Sequence, residues 1–262
     1  MANDPATPNL LAGKKGLVVG VANERSIAWG IAQRAHAAGA ELAYTYQGEA
    51  LLKRVKPLTD STDAKAMVPM DVTNEASVDA AFDQVADKMG SLDFLVHSVA
   101  YADRDALKGR TVDTSREGFL MTMEISVYSL LLLARKVEPI MNPGGSIIAM
   151  TYLGSVKSMP SYNVMGIAKA ALESSVRYLA RDMGEKNIRV NAISAGPIKT
   201  LAASGVSGLR TMLADNAERA PLKRNVDIDD VGRTGLYLIS DLSTAVTGEV
   251  HYVDAGFAST AF

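Results

Sequence analysis

The chain has 262 residues, enough for one large α/β domain or two small ones. Hydrophobic residues at 48% and charged residues at 21% exclude a largely disordered chain, and a formal net charge of −2 excludes a general nucleic-acid binder. The absence of cysteine excludes disulfides, thiolate nucleophiles and cysteine-held metal, and fits a reducing compartment. Disorder is expected only in the first residues, 1–9. No apolar run reads as membrane-spanning and no charged-then-apolar leader opens the chain, so a soluble cytoplasmic protein is expected.

In chain order, KGLVVGV (15–21) reads as a buried strand and SIAWGIAQRAHAA (26–38) as a helix. ELAYTY (41–46) and AKAMVPM (64–70) are the next strands. Val78, Phe82, Val85 and Met89 recur at helical spacing after them. LDFLVHS (92–98), a long helix over 115–138, GSIIAM (145–150), a helix from Tyr162, IRVNAI (188–193), a helix over 227–240 and GEVHYV (248–253) follow. No linker, repeat or low-complexity block interrupts them. Seven buried strands separated by helices predict a Rossmann-type doubly wound parallel sheet in a single α/β domain, 1–262. The segment 201–225 breaks the alternation. It is rich in small residues, with Gly205 and Gly208, then weakly helical, and is expected to form a small lid over the strand ends where such sheets bind ligands.

The first βα turn, GVANERSIAWG (20–30), is not a G-x-G-x-x-G fingerprint. Gly20 ends the strand, Ser26 can cap the helix, and Gly30 can let that helix pack close to the sheet. The turn can aim backbone N–H groups at a pyrophosphate. Three further strand ends suit a dinucleotide: Tyr46-Gln47 at the adenosine ribose, Asp71-Val72 at the adenine amino group, and small Ser98-Val99-Ala100. Asp71 reads equally as a cap for a helix near Asn74.

In YLGSVKSMPSYNVMGIAKAALES (152–174), Tyr152 lies just past a strand and Tyr162 follows Pro160-Ser161, a helix start. Lys169 stands seven residues beyond Tyr162, nearly two turns, so the two share a helix face. A strand-end tyrosine is as readily a packed aromatic with a wet hydroxyl. His36, His97 and His251 have no metal-like spacing; His36 reads as surface and His97 as a satisfied strand residue. Trp29 reads as packing, most methionines as core filler, and LLLLARK (130–136) as a buried or subunit-facing helix.

The residues resemble the short-chain dehydrogenase/reductase superfamily, through RVNAISAGPIKT and DVGRTGLYLISDLSTAVTGEVHYVDAGF. More closely, GVANERSIAWGIAQ, TYQGE, MDVTN, HSVAYA, SYNVMGIAKAALE and GPIKTLAASG are similar, in order, to the FabI-type enoyl-[acyl-carrier-protein] reductase family over residues 12–258. Ordinary superfamily members place lysine four after the tyrosine and serine thirteen before it. Here Gly166 and Ala149 hold those positions, so the carbonyl-reducing triad is absent.

The resemblance implies NADH-dependent reduction of the double bond of enoyl thioesters in fatty-acid elongation. It implies catalysis by Tyr152, Tyr162 and Lys169, and substrate contact by Ala102, Tyr152 and Tyr162. Met159 and Met165 could line an acyl tunnel. It implies cofactor binding by Gly20, Ser26, Ile27, Gln47, Asp71, Val72, Val99, Lys169, Ile198, Lys199, Thr200, Leu201 and Ala202, with no metal. Gln47 offers no cation to a 2′-phosphate, Glu49 would repel one, and Lys53 and Arg54 lie further on, so NADH is expected over NADPH. The implied partners are acyl carrier protein and further copies of the chain in a homotetramer built on helices 115–138 and 160–184, with no nucleic acid or membrane. Arg210, Lys223 and Arg224 are candidate carrier contacts or a solvated charge cluster. Two alternatives stay open: a related short-chain reductase acting on another enoyl thioester or a carbonyl, and a non-catalytic dinucleotide-binding regulator.

Overall fold

The computed structural model describes residues 9–201, 203 and 207–260, so residues 1–8, Ala202 and Gly205 lie outside the described residues. Seven apolar runs form one sheet: β1 (Lys15–Val19), β2 (Glu41–Tyr46), β3 (Ala66–Pro69), β4 (Leu92–His97), β5 (Met141–Thr151), β6 (Arg189–Ala195) and β7 (Val250–Val253). All pairs are parallel, in the order β3-β2-β1-β4-β5-β6-β7. The order reverses between β1 and β4, the crevice where doubly wound sheets bind ligands. Strands buried on both faces explain the unbroken apolar runs that marked them in the sequence.

One face carries α1 (Ile27–Ala37), α2 (Gly48–Asp60) and α8 (Ile228–Ile239). The other carries α3 (Glu75–Met89), α4 (Arg116–Met123), α5 (Ser129–Val137) and α6 (Asn163–Met183). Each layer closes a core: Trp29, Ile31, Tyr44 and Phe94 lie in the first, and Leu17, Leu95, Leu133 and Leu172 in the second. A further helix, α7 (Leu209–Arg219), falls within the expected lid segment.

Four expectations are corrected. Gly30 does not serve helix–sheet contact: a Cβ there would meet Ile228 O of α8 at 2.1 Å, so the glycine lets two helices cross closely. The long helix over 115–138 is not regular. A π-turn at Glu124–Tyr128 separates α4 from α5. Two serines bond across this turn: Ser126 Oγ accepts from Tyr101 N–H and donates to Tyr101 O, 25 residues back, and Ser129 Oγ donates back to Ile125 O at 2.6 Å. The same stretch, Arg116–Ile140, is 25 residues long and apolar enough to cross a membrane, against the sequence reading. Half of its most apolar part is buried here, packed on β4, β5 and α6, as a core helix is. Finally, Asn74 caps α3 by accepting from Ser77 N–H, so Asp71 is released from that role.

Candidate active site

The carboxyl ends of the strands gather the expected residues on one edge. At β1, Gly20 has φ +108°, and a Cβ there would lie 2.1 Å from Ser98 O, so only glycine lets the β1 and β4 ends approach. Ser26 Oγ turns back on the loop, accepting from Ala22 N–H and Asn23 N–H at 3.0 and 3.1 Å. It makes no side-chain cap on α1, contrary to expectation, and so leaves the α1 N-terminus at Ile27 facing the crevice. A helix start with no side-chain cap, behind a glycine turn, fits a pyrophosphate. At β2 and β3, Gln47 and Asp71 meet. Asp71 accepts from Thr73 N–H and Thr73 Oγ–H, and these bonds, with one from Gln47, hold its carboxyl below the usual range against a smaller effect of burial. An ionised acceptor beside a neutral amide suits an adenosine edge. Val72 and Val99 are half-buried against the sheet core, and Ile198 packs between the α8-side core and the residues around Val226. Ile198 and Lys199 line a cleft of 390 Å³ beneath Leu213, Ala214 and Ala217 of α7. Thr200 Oγ1 accepts from Ala203 N–H, and Leu201 is exposed. A larger cleft of 760 Å³, between the end of β7 and α8, is lined by none of the expected catalytic, cofactor or substrate residues, and by Arg224 alone of the candidate carrier contacts.

At β5 the chemistry-bearing side chains converge. Tyr162 is the residue just before α6, between Ser161 at φ +56° and Asn163 at φ +34°, and not inside the helix as the spacing predicted. Its ring meets that of Tyr152 edge-on, centroids 4.9 Å apart. Ala102 packs in the same small cluster as Tyr162, Met165, Ala168 and Leu107. Gly154 packs against both rings: a Cβ there would sit 2.5 Å from Tyr162 and 3.3 Å from Tyr152. Gly166 lies against the carbonyl of Gly154, where a Cβ would fall 2.8 Å from the oxygen. The position that holds lysine in carbonyl-reducing relatives therefore has no room here for a side chain.

Lys169 is buried, and Nζ donates to Met150 O at 2.7 Å, not to Tyr162; two of its three donors remain for other groups. Burial lowers its pKa to about 8, with Glu173 opposing. Burial pushes Tyr152 up to about 12 and raises Tyr162 further, Tyr152 adding to the latter. Both phenols are therefore protonated donors at neutral pH. Tyr152 Oη donates to Met212 Sδ at 3.3 Å, which brings α7 over the phenol pair. His97 is not the satisfied strand residue expected. Nε2 pairs with Ser129 Oγ at 2.8 Å, but Nδ1 is buried without a partner among the described residues.

Sequence reasoning missed three contributors. Glu173, one turn past Lys169, is buried and accepts from Thr151 Oγ at 2.7 Å; its spacing was a readable signal. Met212 and the packing of Gly154 carried none.

Strand ends shaped for a dinucleotide, beside two donor phenols and a buried lysine, define a dinucleotide-dependent reductase. The family profile described as Enoyl-(Acyl carrier protein) reductase matches residues 20–258. The chain is similar to "Enoyl-[acyl-carrier-protein] reductase [NADH] 1" of Rhizobium meliloti, 57% identical over 95% of this chain and 91% of that one. It is also 57% identical to the Rickettsia felis "Enoyl-[acyl-carrier-protein] reductase [NADH] FabI", over 96% of each. A crystal structure of the Anaplasma phagocytophilum reductase in complex with NAD superimposes with a TM-score of 0.94 at 52% identity, over 98% of both chains. The chain belongs to the FabI-type enoyl-[acyl-carrier-protein] reductase family of the short-chain dehydrogenase/reductase superfamily.

Proposed function

We infer that this chain reduces the α,β-double bond of enoyl thioesters carried on acyl carrier protein, with NADH, in fatty-acid elongation. The observation that carries this reading is the pair of protonated phenols, 4.9 Å apart, between Ala102 and the buried Lys169. NADH supplies hydride for the β-carbon. The chain's own residues serve the charge that this leaves on the thioester oxygen, and the enolate then takes a proton from solvent at the α-carbon, which completes the reduction. Tyr162 donates a hydrogen bond to that oxygen, where negative charge develops and not where it starts, so the bond strengthens toward the transition state. Tyr152 lines the acyl pocket beside it and meets Met212 of the lid. Lys169, fixed by Met150 O, holds the nicotinamide ribose with its remaining donors and, as a cation, makes the phenol O–H a stronger hydrogen-bond donor. Gly20, Ser26 and Ile27 hold the pyrophosphate side, and Gln47, Asp71 and Val72 the adenosine side. Val99 and Ile198 hold the nicotinamide end, Thr200 contacts the pyrophosphate, Lys199 and Leu201 add to the cofactor contacts, and Ala102 touches the substrate.

We place the protein in the cytoplasm as one reductase domain with a lid at about 201–225. We assign its assembly as a homotetramer. Support comes from exposed apolar side chains along α4, α5 and α6: Leu120, Leu131, Ile167 and Tyr178. Carrier docking is assigned to Arg210 and Lys223. Arg224 instead forms a two-pronged pair with Asp230, a structural role. The test is loss of the near-ultraviolet absorbance of NADH on adding crotonyl thioester. Consumption with the enoyl substrate and none with the matching ketoacyl thioester supports the reading; the opposite pattern overturns it. Light scattering of the purified protein decides the tetramer.

A further inference from the structure

The end of β5 is clasped by two consecutive turns of α6. Lys169 Nζ donates to the carbonyl of Met150, and one turn later the Glu173 carboxylate accepts from the hydroxyl of Thr151, each at 2.7 Å. The next residue is Tyr152. Lys169 and Glu173 are 6% and 5% exposed, so an ammonium and a carboxylate four residues apart on one helix face are both withdrawn from water.

We propose that Glu173 is a positioning residue for the reductase chemistry: its carboxylate keeps the buried Lys169 cationic and, through Thr151, fixes the strand end that presents Tyr152. The proposal rests on the reductase reading above. A buried ammonium without a carboxylate partner sheds its proton. Glu173, one turn on along the same buried face, acts on Lys169 by charge across that turn and not through a direct ion pair. From β4 it faces His97, which burial and Lys169 itself drive down to about 3, so the imidazole is neutral. From β5 it faces a carbonyl and the Thr151 hydroxyl. Ahead of α6 stands Tyr162, whose phenol burial keeps protonated. Beyond Glu173 stands Tyr252 on β7, in one register row with Ser194 and Thr151, its phenol raised by burial and then by Glu173, Asp254 and Glu249. Burial lowers Lys169 and Glu173 raises it. The two effects leave it at about 8, close enough to neutrality that losing the carboxylate depletes the cationic state at working pH.

The sign follows. A lysine must be protonated to act as a cation, so its contribution is present below its pKa and lost as pH rises through it. Glu173→Gln keeps an acceptor for Thr151 but removes the charge. The midpoint of Lys169 should fall by roughly one pH unit or more, and the alkaline limb of kcat/KM should fall with it. Thr151→Val removes the hydroxyl and keeps the charge. It should lower kcat with the midpoint in place.

The experiment follows the ε-carbon NMR signal of Lys169 with pH in labelled protein, identified by its loss in Lys169→Arg. A Glu173→Gln protein that melts like wild type and titrates Lys169 at the wild-type midpoint overturns the proposal. If Glu173→Gln does not fold, Glu173→Asp carries the same test: its carboxylate is drawn back by one methylene, so the midpoint must fall, by less. The titration needs no substrate and no turnover. Its failure is therefore separate from failure of the reductase reading, which the NADH-consumption assay alone decides.

Discussion

Gly166→Ala adds one methyl group in the first turn of α6, and its effect can be worked from distances. The new Cβ would lie 2.8 Å from the Gly154 carbonyl oxygen and 3.7 Å from the Tyr162 ring. The first is an overlap with backbone and the second an ordinary contact. Relief requires the 153–155 turn to retreat by about 0.6 Å. Alanine in a helix interior gains about 1 kcal/mol over glycine, whereas forcing backbone apart costs about 1–3 kcal/mol. The net is a loss of about 0–2 kcal/mol, or up to about 6 °C in Tm for a chain of this size. The larger effect is on chemistry. Gly154 lies flush against both phenols, so a retreating turn carries away the surface that aims Tyr162. A misplacement of about 1 Å costs about 100-fold, and about half of that displacement implies about tenfold in kcat. Urea unfolding and steady-state kinetics on the same preparation decide it, with NADH affinity expected to hold. A variant stabilised by the full alanine gain, with wild-type kcat, would refute the reasoning.

Tyr162→Phe should lower turnover on the carrier-bound substrate by about 10²–10³-fold, with NADH binding unchanged; unchanged turnover removes the donor role. Lys169→Ala should weaken NADH binding as well as rate, which fluorescence titration reads, and a purely kinetic defect would contradict its place at the ribose. Gln47→Arg supplies the cation that a 2′-phosphate lacks here and should raise the NADPH-to-NADH ratio of kcat/KM. No change would mean that another group sets the preference. Over 207–225, amide exchange should slow when NADH and a substrate analogue bind together, because Met212 of α7 accepts from the Tyr152 phenol at the site; equal exchange with and without ligands excludes a lid.

The fold was legible because its signals are local. Strands buried on both faces read as apolar runs, and helices between them as period-3.6 patterns, so the alternation alone fixed a parallel sheet. β2 was read to the residue. Boundaries slipped where tertiary contacts end an element. Gly20 leaves β1 to meet Ser98, and Thr151 extends β5 past the expected end to pair with Ser194. An internal Pro57 hides α2 in the sequence. The π-turn was invisible because it depends on Ser126 meeting Tyr101, far off in sequence. The site was legible in its residue types and not in its geometry. Spacing put Tyr162 and Lys169 on one helix face, but Tyr162 stands just outside the helix and Lys169 turns to the strand.

That turn explains how a sheet edge becomes a reactive site. Four successive residues at the end of β5 go to four different places. Ala149 is the register partner of His97 on β4; Met150 gives its carbonyl to Lys169; Thr151 gives its hydroxyl to Glu173; Tyr152 reaches Met212 on α7. A serine at 149 would set a hydroxyl beside His97, where carbonyl-reducing relatives place theirs. Alanine instead leaves the polar work to the two residues that follow. The donor lysine could then move three positions along α6, from a site blocked by the Gly154 carbonyl to one beneath the strand end. Gly166 and Ala149 thus stand at either side of one contact: Gly166 lets the Gly154 turn press on Tyr162, and Ala149 directly precedes the Met150 carbonyl that anchors the cation.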